Sequence, residues 1–388
     1  MLEALAVQNY RTLRDVVIPL GPCNVITGAN GSGKSNVYKA LRLLAETAQG
    51  GVIASLAREG GLESTLWAGP EVISEAMKRG EVPVQGTRRT KPISLGLGFR
   101  STEFSYSIDL GLPQPSGAPT AFSRDPIIKG EYVWAGPTAR PSAMLVERRN
   151  GLVRTRDDNG QWQTVHERLS DFDSMLSRLA DPRATPELLT LRDQIRSWRF
   201  YDHFRTDASA PARLPQVGTH TPVLGHDGSD LAAALQTIRE IGDSQALDEA
   251  VDDAFPGARV MVEYHDGRFE TTMRQHGLLR SLKAAELSDG TLRYLLWIAA
   301  LLSPRPPSLL VLNEPETSLH PDLLPALGRL IGRAAERSQI FVVSHARRLI
   351  ASLQDMECQA LTLEKSFGET TISELTELER PAWHWIAR

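Results

Sequence analysis

The stretch Gly28-Ala29-Asn30-Gly31-Ser32-Gly33-Lys34-Ser35 fits the pattern G-x4-G-K-[ST]. It follows the β-branched run NVIT (Asn24–Thr27) and opens a segment with helical apolar spacing at Val37, Ala40, Leu41, Leu44 and Ala48. Each residue type has a chemical reason. Glycines let successive backbone N–H groups curl around phosphate oxygens, and a helix N-terminus adds partial positive charge. A lysine at position 34 reaches β and γ phosphates, and a serine hydroxyl at position 35 ligates Mg²⁺. Gly28, Asn30, Gly31, Ser32, Gly33, Lys34, Ser35 and Asn36 are therefore the expected nucleotide contacts. Only seven of the 43 basic residues are lysine, so one at this position carries weight. No Asn-Lys-x-Asp element for reading guanine is present, which favours ATP over GTP.

Three further segments extend the chemistry. The apolar run Leu309–Leu312 delivers Asn313 and Glu314 at its end, where ligands bind in parallel sheets. Glu314 suits the orientation or deprotonation of an attacking water. Leu287-Ser288-Asp289-Gly290-Thr291 precedes a helix; the Ser288 hydroxyl and Gly290 amide would form an anion site there. Ser344-His345 follows the buried run IFVV. Taken singly, these read as a solvated acid, an N-cap serine and a structural histidine. A similar pentad, His226 to Asp230, shows how weak the serine signal is by itself. Position separates the two, because Ser288 lies 26 residues before Glu314, and His345 lies 31 after it.

The elements that must position these groups form two strand-loop-helix units. One is Asn24–Thr27 with the helix after Lys34; the other is Leu309–Leu312 with the amphipathic span Asp322–Arg337, followed by strand Ile340–Val343. Fully apolar strands imply a parallel sheet covered on both faces. Leu2–Val7 and Val16–Leu20 read as further strands. Between them and the C-terminal motifs, Ile93–Leu112 and Met144–Val165 alternate like antiparallel strands, with a turn at Asn150-Gly151. Gly111–Pro141 and Ala208–Gly228 read as Pro/Gly-rich loops. Asp171–Leu179, Pro186–Trp198 and Asp230–Glu240 read as helices, and Gln359–Leu375 as a hairpin. The expected domains are a split head, residues 1–60 and 281–388, and an insertion, residues 61–280. The insertion is antiparallel over about 90–165 and helical over about 170–250.

The four motifs, in this order, resemble the ABC-type ATPase superfamily, in its RecF/SMC/OLD-like branch and the related AAA-type ATPase core proteins. The opening LAVQNYRTLRDVVIPLGPCNVITGANGSGKSN and the segment EPETSLHP carry the resemblance, and LSDGT corresponds to a signature usually written LSGGQ. The resemblance implies an α/β P-loop head with a mixed, mainly parallel sheet, plus an antiparallel β lobe and a helical insertion. It also implies an ATP- and Mg²⁺-dependent homodimer. Lys34 and Ser35 of one subunit would face Ser288 and Gly290 of the other, with Glu314 as general base and His345 as γ-phosphate sensor. Asn313 stands where the family has Asp, so weaker Mg²⁺ binding and slow turnover are expected. Asp289 stands where many members have Gly, which adds a negative charge near a phosphate site.

Composition bounds the role. The chain has 388 residues, 41% of them hydrophobic, and a net charge of −4, which advertises no global basic field. Arginines 148, 149, 154, 156, 192, 196, 199 and 205 offer a local basic surface or a salt-bridged face. The partner is expected to be DNA, in repair or in defence against foreign DNA, or a separately encoded effector protein. The N-terminus reads as no signal peptide, and no membrane span is expected, so the protein is expected to be cytoplasmic. Cys23 and Cys358 are too few for a disulfide framework and fit a reducing cytosol. The 43 residues after His345 hold no Asp-x-Asp cluster, and no nuclease activity is expected.

Overall fold

The computed structural model describes residues 1–388 except 86–88, 90–91, 115–119, 158, 180, 374, 376–378 and 387–388. The chain forms two compact units, one of residues 1–21, 28–197 and 361–388, the other of 22–27 and 198–360. These units cut across the division by motif, which groups 1–60 with 281–388. Among the described residues no helix is long and apolar enough to cross a membrane.

The first unit is built on an eight-stranded antiparallel sheet, in the spatial order Leu13–Pro19, Leu2–Tyr10, Leu95–Ser101, Phe104–Gly111, Ile127–Ala135, Met144–Arg149, Leu152–Arg156, Trp162–His166. The two N-terminal strands thus join the antiparallel sheet, with Leu5 aligned to Ile18 on one side and Phe99 on the other. Asn150, at φ 53°, makes the expected turn between Arg149 and Leu152. Ile127–Ala135 was expected as loop; its β-branched and aromatic run is masked in sequence by Pro and Gly on both sides. The helix Lys34–Gln49 buries Val37, Ala40, Leu41, Leu44 and Ala48, and Gly50 ends it in the left-handed region. The expected helix over Asp171–Leu179 contracts to one turn, Met175–Arg178, capped by Ser174. Trp383 and Trp385 cover the sheet. A Cβ on Gly98 would lie 2.6 Å from Trp383, and one on Gly96 2.9 Å from Trp385, so glycines there make room for the indoles.

The second unit carries four parallel strands in the order Arg199–Tyr201, Leu309–Asn313, Gln339–Val343, Cys23–Gly28. Their apolar runs are buried on both faces, as a parallel sheet demands. The helix Asp289–Leu301 is buried on every side from Leu292 to Leu301, so it is the central helix of this unit. The helix Ser244–Ala254 straddles the end of the stretch expected to be helical over about 170–250, and the hairpin Arg259–His265/Arg268–Arg274 lies where the sequence pattern predicts no element. Cys23 and Cys358, expected as reduced thiols, are joined by a disulfide. Cys23 opens a core strand and Cys358 ends the turn after the helix Arg347–Gln354, and tertiary folding brings them together across 335 residues of chain.

Candidate nucleotide site

The phosphate loop belongs to the first unit. Gly28, Gly31 and Gly33 have φ of 142°, 80° and 111°, values that L side chains rarely adopt. Gly33 precedes the first residue of the Lys34 helix, whose N-terminus has no side-chain cap. Its first N–H groups are thus available to an anion. Lys34 is buried, and its ammonium donates to the Gly28 and Ala29 carbonyls at 2.6 and 3.0 Å. The Ser32 hydroxyl is buried with no partner. Ser35 is exposed at the helix start. Asn36, expected among the nucleotide contacts, gives its side-chain amide to Thr12 Oγ1 at 2.8 Å.

The acidic and histidine motifs belong to the second unit, at the C-terminal ends of its strands. Ile26 is in register with Val343, and Val343 with Asn313, so three strands end at one edge. The chain leaves the first strand into the phosphate loop, the second into Ser344-His345, and the third into Glu314. Glu314 has φ 47°, and its N–H is held by the Val343 carbonyl at 2.8 Å. A non-glycine residue in that region stores strain that the surroundings must sustain. The His345 Nδ1 lies 3.9 Å from Glu314 and 3.3 Å from Glu316.

Glu316 was not singled out from sequence. Its buried Oε1 accepts from Ser344 Oγ (2.8 Å), His345 N (3.0 Å) and Ala346 N (3.2 Å). This one carboxylate therefore fixes the backbone that carries His345 to the segment that carries Glu314. The Glu-x-Glu spacing was the available signal. The Asn313 Oδ1 is likewise buried and unpartnered, a free acceptor of the kind a hydrated cation would use.

Ser288 caps the central helix, with its Oγ accepting from Thr291 N at 3.1 Å, and remains exposed. Two residues of that helix grip the acidic segment. Arg293 donates to Thr317 O at 2.7 Å and Trp297 Nε1 to Pro315 O at 3.0 Å. Burial pulls the Arg293 guanidinium below its ordinary range. A Cβ on Gly290 would come 3.3 Å from the Ser318 carbonyl, so the start of the central helix packs directly on the segment after Glu314.

The family described as "AAA domain, putative AbiEii toxin, Type IV TA system" matches residues 23–351, from the strand before the phosphate loop to beyond His345. The chain belongs to this family. It is an ATPase-class chain of the AAA type. An OLD nuclease of Thermus scotoductus (strain ATCC 700910 / SA-01) is 46% identical over 44 residues, a match covering 11% of this chain and 8% of that protein. Solved SMC heads align along the whole chain at low identity. One bound to the C-winged helix domain of ScpA has a TM-score of 0.49 and 14% identity, covering 98% of this chain and 99% of that one. The SMC head of Thermotoga maritima has a TM-score of 0.42 and 15% identity, covering 97% and 99%.

In this AAA-type chain the Asp289 carboxylate is paired with a buried arginine. Asp289 accepts from the buried Arg213 at 2.6 Å, and Arg213 also donates to the carbonyls of Thr206, Ala284 and Leu287 at 2.9, 2.9 and 2.7 Å. Arg213→Ala is expected to lower stability by about 2–4 kcal/mol, because several buried acceptors lose their donor together. A denaturant midpoint that does not move would contradict this. The surrogate pentad at His226 behaves differently. Its Asp230 closes a turn on the Gly225 N–H at 3.0 Å, and burial raises that carboxyl above its usual range.

Proposed function

We propose that the protein binds ATP with Mg²⁺ and hydrolyses it, closing as a homodimer around two nucleotides. The observation that carries this reading is the shared edge at which the strands before the phosphate loop, His345 and Glu314 end in register. Lys34 and the loop amides would hold the β and γ phosphates, and Ser35 with Asn313 would hold the metal. Bound Mg²⁺ would draw charge off the phosphate oxygens. Glu314 takes a proton from water, the water oxygen attacks the γ phosphorus, and the bond to the β-γ bridging oxygen breaks as ADP leaves. His345 reads the γ phosphate from a backbone that Glu316 holds. The exposed Ser288 and the half-buried Gly290 of the second subunit complete the phosphate shell. Differential affinity of ATP for the closed dimer makes hydrolysis the opening step.

The setting in this reading is defence against foreign DNA or DNA repair, and the name of the OLD nuclease that matches locally supports a role connected with nucleic acid. One observation favours a second reading, an ATP-gated switch that recruits a separately encoded effector. The arginines considered for a basic surface are largely engaged. Arg148 is buried against Glu131, Arg149 and Arg154 lie on Glu147, and Arg192 and Arg205 lie on Asp193 and Asp207. The ATPase rate with and without duplex DNA, at two salt concentrations, separates the readings. Stimulation that fades with salt supports DNA as the partner. No stimulation, with a co-encoded protein retained only in ATP, supports the switch.

A further inference from the structure

The C-terminal hairpin, Gln359–Ser366 paired with Glu369–Ile372, was left without a role by the motifs. It touches the phosphate loop at both ends. A Cβ on Gly28 would clash with the Leu363 carbonyl, and one on Gly33 with Thr370 Oγ1. These two glycines are thus required by the hairpin as well as by their positive φ. Thr370 is buried, and its N–H donates to the Thr12 carbonyl at 2.8 Å.

Side chains continue this contact as a relay with one possible direction. The Asn36 amide donates to Thr12 Oγ1 at 2.8 Å, Thr12 and Thr370 hydroxyls are 2.7 Å apart, and Thr370 Oγ1 is 2.8 Å from the Ser32 carbonyl. A carbonyl only accepts, so Thr370 gives its single proton to Ser32 and must receive one from Thr12. Chains of this kind polarise their members and hold geometry more firmly than isolated bonds. A trans peptide sets C=O and N–H on opposite sides. Holding the Ser32 carbonyl toward the hairpin therefore turns the Gly33 N–H away from it, into the concave face of the loop.

We propose that this hairpin braces the phosphate loop, with Thr370 a positioning residue that aims the Gly33 N–H at a nucleotide phosphate. The proposal rests on the reading of residues 28–35 as a nucleotide site. Thr370→Val keeps the shape and removes the proton; Thr370→Ser restores it; Thr12→Val breaks the relay one step earlier. The test measures ATP affinity by equilibrium dialysis, and amide hydrogen exchange over residues 31–34 without nucleotide. Thr370→Val is expected to bind ATP about tenfold more weakly, with faster exchange in the loop, and Thr370→Ser to stay within about twofold of the parent. Because Thr12 and Thr370 act in series, the double valine variant should lose no more than the worse single one. Additive losses, or parental binding and exchange in Thr370→Val, would overturn the brace. Should Thr370→Val fail to fold, Thr12→Val decides by the same two readouts. If the parent binds no ATP, the nucleotide reading falls; the exchange comparison then still tells whether the relay holds the loop.

Discussion

Glu314→Gln is expected to cut ATP turnover by about 10²–10⁴-fold while leaving ATP binding intact. Glutamine keeps the volume and one acceptor oxygen but cannot take the proton from water. The backbone site should tolerate it, because the Glu314 N–H stays bound to the Val343 carbonyl and the side chain is 44% exposed. A dimer that opens only on hydrolysis then persists, so the variant should elute ahead of the monomer in ATP and Mg²⁺. Monomeric elution under those conditions would count against the two-nucleotide sandwich. Undiminished turnover would remove Glu314 from the role of base. Glu316 supplies the contrast. It is buried and bound to three donors of the His345 turn, so its loss loosens His345 without removing a proton acceptor from water.

What the sequence made legible follows from how local each signal is. The helix after Lys34 announces itself by its apolar stripe and its glycine stop, and the parallel strands by unbroken apolar runs. The hairpin at Arg268 carried an equally local signal, Asp266-Gly267, both residues having positive φ, but its flanking strands are half-exposed and charged. Strand Ile127–Ala135 lost its signal to flanking turn residues. Partnerships across long separations had no local trace at all. Arg213 serves Asp289 from 76 residues away, and Thr370 serves Ser32 from 338. Such pairs are set by topology, so only the fold could reveal that the charge added at Asp289 comes with its own counter-ion.

Lys34→Ala is expected to weaken ATP binding by at least about 10²-fold, the loss of charge-assisted bonds to phosphate oxygens. The ammonium already has an anchor, the Gly28 and Ala29 carbonyls at 2.6 and 3.0 Å, so a phosphate must compete with the loop's own backbone for it. That exchange favours the phosphate, because a doubly charged oxygen cluster attracts the ammonium more strongly than two neutral carbonyls do. The same anchor predicts a second, separable effect. Removing Lys34 takes the donor from both carbonyls, so stability without nucleotide should fall by about 1–2 kcal/mol. Alanine is the best helix former at this first helical position, so the Lys34–Gln49 helix itself should persist and the circular dichroism stay unchanged. A variant folded as the parent but still binding ATP with parental affinity would sink the assignment of residues 28–35. A variant that loses binding without any loss of stability would instead show that the carbonyl contacts are dispensable to the loop.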